Sequence, residues 1–72
     1  MIERFLRYSL ERNRPIRLIF LTEEKALRQV TAVAEALEGG RVSLYILRPP
    51  QRLTIPVADI LSADYTPKDE GQ

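Results

Sequence analysis

The stretch Leu37-Glu38-Gly39-Gly40-Arg41-Val42 decides how the rest of the chain reads. Two adjacent glycines take positive φ at both central positions of a turn at little cost, as a type I′ hairpin requires. Such a turn matches the right-handed twist of paired strands and asks for a strand on each side. To the right, Arg41 to Leu47 supplies one: Val42, Leu44 and Ile46 alternate with Ser43, Tyr45 and Leu47. To the left, Leu27 to Leu37 supplies the other, with Ala32, Ala34 and Ala36 alternating with Val33, Glu35 and Leu37. Ala, Glu and Leu are also good helix formers, so residues 23–38 carry a helical alternative. The strand reading is preferred because the glycine turn needs a partner for the strand that follows it.

Working outward, Ile2, Phe5, Leu6, Ser9 and Leu10 fall on one helical stripe, which predicts a helix over residues 2–13. Pro15 biases Arg14 away from the α region, and Asn13 suits a left-handed cap. Ile16 to Leu21 reads as the first strand, apolar on both faces, with the helix stripe as cover for one of them. Thr22-Glu23-Glu24-Lys25 is a connection of hairpin length. Beyond the third strand, Arg48-Pro49-Pro50-Gln51-Arg52 reads as a rigid turn, since consecutive prolines do not continue a ladder. A short fourth strand, Leu53 to Ile55, points Leu53 and Ile55 inward. Val57 to Ile60 makes one helical turn capped by Asp59, and Leu61 to Tyr65 is the fifth strand, with Tyr65 at the core edge. The expectation is one α+β domain over residues 1–66 with a loose polar tail at 67–72. In it an N-terminal helix precedes a five-stranded, strongly bent antiparallel β-barrel.

Composition narrows the function. The chain has 72 residues, no Cys and no His, so it lacks thiolate ligands, the usual metal ligand and the usual proton shuttle. Net charge is +1 but uneven: residues 1–52 hold ten basic against six acidic residues, and residues 53–72 one against four. No apolar run reaches membrane-spanning length, and Glu3, Arg4, Arg7 and Glu11 interrupt any secretory signal. A cytoplasmic location without membrane attachment is the expectation.

The element order resembles Sm-like and SH3-like small barrels, and more specifically the WYL domain of bacterial regulators. Leu10 to Phe20 looks like that family's helix, basic turn and extended entry strand, with Phe20 at its aromatic position. Ala34 to Leu37 has the spacing of its next motif. Val42-Ser43-Leu44 stands where Trp-Tyr-Leu would, and Arg52 to Ile60 is similar to its closing stretch. The ending Ile55-Pro56-Val57-Ala58-Asp59-Ile60 is also similar to YolD-like proteins associated with DNA damage repair. Either resemblance implies a non-catalytic regulatory or interaction domain.

The residues themselves point the same way. Ser9, Ser43 and Ser62 have no His to activate them, and the carboxylates are not grouped by spacing, so no catalytic residue, metal site or cofactor is expected. Ile19, Leu21, Tyr45 and Leu47 lie on the outward side of their strands and form a candidate interface for a homo-oligomer or a protein partner. Arg4, Arg7, Arg12, Arg14, Arg17, Arg41 and Arg52 form the alternative, an electrostatic surface for single-stranded nucleic acid.

Overall fold

A computed structural model describes residues 1–66; the tail expected at 67–72 lies outside the described residues. Helix α1 (Ile2–Arg12) buries Leu6 and Ser9 completely and Ile2, Phe5 and Tyr8 in part. Asn13 ends it in the left-handed conformation at φ 56°, and Arg14 N–H then donates to the Ser9 carbonyl at 3.3 Å. Asn tolerates that conformation better than most non-glycine residues, which is why the helix stops here.

Five strands follow: β1 (Ile16–Leu21), β2 (Leu27–Glu38), β3 (Arg41–Leu47), β4 (Pro50–Pro56) and β5 (Ile60–Tyr65). They form one antiparallel sheet in the order β4-β3-β2-β1-β5, so the α+β class holds and residues 27–37 are strand. Gly39 and Gly40 adopt φ 59° and 75° between the paired residues Glu38 and Arg41, as the type I′ turn demands. The inner face carries Ile16, Leu18, Phe20, Val30, Ala32, Ala34, Val42, Leu44, Ile46, Ile55 and Ile60, all buried. Helix α1 lies mainly against β2, beside β5 and β1. The small side chains of Ala32 and Ala34 let it approach closely.

Three expectations are corrected by the ladder. First, the alternation in β2 breaks at Glu35, an extra residue between Ala34, opposite Leu44, and Ala36, opposite Ser43. A bulge of one residue reverses the faces beyond it. Leu37 therefore packs inward beside Val42 while Ala36 is exposed. A second bulge, between Ile19 and Phe20, leaves Leu61 of β5 unpaired. Second, β4 is longer than Leu53–Ile55: Pro50 pairs with Leu47 and Pro56 with Arg41. The Arg48–Pro49 peptide is cis, and only Arg48 and Pro49 turn the chain. Third, the barrel is not closed, because β4 and β5 are not paired with one another among the described residues. The 3₁₀ turn Val57–Asp59 joins them; no side chain caps it, so Asp59 is its last residue rather than its cap.

The prolines fit because of ladder parity. Val57 N–H donates to the Gly40 carbonyl at 2.9 Å. Hydrogen-bonded pairs alternate along an antiparallel ladder, so the next ones toward the other end are Val42–Ile55, Leu44–Leu53 and Ile46–Gln51. Residues 50, 52, 54 and 56 then turn their backbone groups away from β3. Pro50 and Pro56 both fall on this outward set, where a missing N–H costs no ladder bond.

Ser9 joins helix to sheet. The β1–β2 register pairs Ile16 with Ala32, which would set Arg14 opposite Ala34. Beyond Pro15 the chain has already turned toward the helix, and the Ser9 hydroxyl stands between them. It accepts from Ala34 N–H at 2.9 Å and donates to the Arg14 carbonyl at 2.6 Å. The hydroxyl thus carries the ladder one step past its end inside a fully buried site.

Removing that bridge leaves a buried amide and a carbonyl unsatisfied. Ser9→Ala should destabilise the chain by about 2–4 kcal/mol, read as a lower urea midpoint at unchanged slope. The parity makes a paired expectation. Thr54→Pro should retain cooperative folding, whereas Leu53→Pro, which removes a ladder N–H and a core side chain, should lose about 3 kcal/mol or more.

Candidate functional site

With α1 on the inner face, the outer face of the sheet has no covering element among the described residues. It carries Ile19 and Leu21 of β1, Val33 of β2, and Tyr45 and Leu47 of β3, each half-buried by its neighbours. Leu27 stands opposite Leu21 in the ladder and is 67% exposed. Strand pairing therefore brings the four residues expected at an interface, Ile19, Leu21, Tyr45 and Leu47, onto one surface. Leu27 and Val33 belong to it and were missed from the sequence. A hairpin register set by the Thr22–Ala26 loop places Leu27 against Leu21.

Polar groups lock this face. The Arg52 guanidinium lies 5.0 Å over the Tyr45 ring and donates from Nε and Nη2 to the two Glu35 carboxylate oxygens at 3.1 and 3.4 Å. Glu35 is the bulge residue of β2, so the contact crosses three strands. The Ser43 and Thr54 hydroxyls meet at 3.2 Å. In the ladders Arg17 faces Asp64, and Glu38 faces Arg41.

The arginines do not gather in one place. Arg4, Arg7 and Arg14 are exposed on α1 and its exit, and Arg12 sits 5.8 Å from the Tyr8 ring. Arg17 and Arg52 belong to the outer face, opposite the helix. Arg41 lies at the β2–β3 hairpin. The helical cluster and the strand arginines thus occupy different sides of the molecule.

A second feature was not legible in the sequence. A cavity of about 380 Å³ opens between β4 and the loop that follows β1. Phe20, Leu53, Ile55 and Pro56 supply its apolar lining, and Glu23, Glu24, Asp59 and Arg41 its charges. It lies beside the 3₁₀ turn that joins β4 to β5, with Pro56 and Asp59 in its wall. Among the described residues no group of three His, Cys, Asp or Glu is placed to hold a metal ion, and no helix is long and apolar enough to cross a membrane.

No family model, no curated protein and no solved structure matches this chain.

The Arg52 side chain is 72% exposed and that of Glu35 38%. A double-mutant cycle on Arg52→Ala and Glu35→Ala should therefore give a coupling below about 1 kcal/mol. That coupling should shrink as salt is raised through the physiological range.

Proposed function

We propose that this chain is a non-catalytic interaction domain that pairs with a second copy of itself through the outer face of its sheet. The observation that carries this reading is the uncovered outer face, where Leu27, Leu21 and Ile19 form one apolar group and Val33, Tyr45 and Leu47 another, with Gln29 and Thr31 of β2 between them. Charges on that face have opposites alongside: Glu35 with Arg52, and Asp64 opposite Arg17. Two copies of such a face meet without net repulsion, and the same patch on both partners gives a closed, two-fold dimer. The bacterial regulatory setting is what the WYL-like resemblance adds.

Electrostatic binding of single-stranded nucleic acid is the alternative. Its support is that Arg4, Arg7 and Arg14 are exposed and have no ion-pair partner among the described residues. Arg12 would extend that set. The two readings use opposite sides of the molecule, so one set of measurements separates them.

Light scattering during gel filtration at micromolar concentration should give twice the 8.3 kDa chain mass. Ile19→Lys with Leu47→Lys should give the monomer at unchanged circular dichroism. A monomer at every concentration for the unaltered chain would remove the dimer reading. If that monomer shifts a labelled single strand, with log K falling against log salt at a slope near about −3 for four phosphates, nucleic acid takes its place.

A further inference from the structure

The edge of β4 borders the cavity described above. Two independent observations meet there. The first is the ladder parity: Pro50 and Pro56 have no N–H, so the outer edge of β4, which no strand covers among the described residues, offers outward amides only at Arg52 and Thr54. The second is the cavity, which Thr54 also lines.

The lining has two characters. Phe20 and Ile55 are almost fully buried, and Leu53 and Pro56 half-buried, so the inner surface is apolar. Its charged residues are Glu23, Glu24 and Asp59 against Arg41, a formal balance of −2. No ion pair joins these four among the described residues. Glu23 and Glu24 sit on a loop fixed at both ends by Thr22. Thr22 N–H donates to the Ala26 carbonyl at 2.8 Å, its carbonyl accepts from Lys25 N–H at 2.9 Å, and its hydroxyl accepts from Ala26 N–H at 3.1 Å. Lys25 is held at φ 67°, a conformation non-glycine residues seldom take. The carboxylates are thus presented on a preset turn.

We infer that this edge and cavity bind a short, extended, basic peptide segment, which adds to β4 opposite Arg52–Thr54 and lays a Lys or Arg side chain across Phe20, Leu53, Ile55 and Pro56 toward Glu23, Glu24 and Asp59. Charge and shape select the occupant together. A long basic side chain has an aliphatic stem for the apolar lining and a cationic head for the carboxylates. Strand addition supplies backbone bonds, and the alternation of its side chains puts every second one at the cavity. The prolines cap the register at both ends, so the paired segment is short. An acidic segment would meet repulsion from three carboxylates.

The test uses the whole chain, ¹⁵N-labelled, and two blocked pentapeptides, TKVRT and its acidic counterpart TEVET. Saturable shifts with TKVRT at Arg52, Thr54 and residues 22–26, slowed amide exchange at Arg52 and Thr54, and no binding of TEVET are the expected result. Glu23→Lys with Glu24→Lys should weaken TKVRT by about tenfold or more. Thr54→Pro should abolish binding while the chain stays folded, because it removes an outward amide and no ladder bond. Absence of saturable shifts, equal binding of the two peptides, or full binding by the Thr54→Pro chain would each overturn the inference. Oligomeric state measured on the same Glu23→Lys, Glu24→Lys chain reports on the outer face separately.

Discussion

A single buried hydroxyl decides how helix and sheet meet. Strand β1 ends against β2 at Ile16, yet β2 runs on through Ala34 to its bulge. The Ala34 amide would be left facing the helix with no strand to bond it, at a cost of about 1–3 kcal/mol in a buried setting. Ser9 Oγ accepts that amide and passes its own proton to the Arg14 carbonyl. This contact fixes the rotation of α1 about its axis, because Ser9 must face β2. Leu6 then enters the core, and Phe5 and Tyr8 are carried to Tyr65, with ring centroids 4.8 Å away in each case. The position of the helix in turn determines which face of the sheet is left open.

Some of this was written in local chemistry. The glycine pair needed positive φ and took it; Asn13 was the natural left-handed stop; and strands β1 and β3 announced themselves by alternation. These features depend on a few neighbouring residues, so a sequence displays them. What was not legible depends on pairing across the molecule. Ser9 reads as one more member of an apolar helical stripe, since nothing near it names Ala34. The bulge at Glu35 belongs to the β2–β3 register, which sets the side of the sheet that Ala36 and Leu37 occupy. Pro50 looks like the end of a ladder unless the parity of the β3–β4 pairing is known. The outward-facing apolar residues on β1 and β3 were legible because alternation marks an outward side, whereas the cavity was not, because its lining comes from three separate stretches of the chain, around residues 20–24, 41 and 53–59.

The arginines show the same division. Their number suggested one basic surface, but a side chain's surroundings are set by the fold. Arg52 is drawn across Tyr45 to Glu35, Arg17 lies opposite Asp64, and Arg12 rests near Tyr8. A guanidinium held in a planar contact has donors committed to a neighbour and less to offer a phosphate. Several of these residues therefore shape the protein's own surface.

The manner in which the edges are finished bears on assembly. An open five-stranded sheet has two unlike edges, and pairing one to the other between copies would repeat without closing. On β4, Pro50 and Pro56 interrupt the row of outward amides. On β5, Leu61 is displaced by the bulge and the Asp64 carboxylate accepts from Tyr65 N–H at 2.8 Å. A long strand from a neighbour cannot zip along either edge without breaking these features. Each edge therefore offers only short runs of outward amides, such as Arg52 and Thr54 on β4, and open-ended strand addition is disfavoured. The prolines at the ends of β4 and the bulge in β5 thus act in the same direction, since each shortens the run of amides that its edge offers.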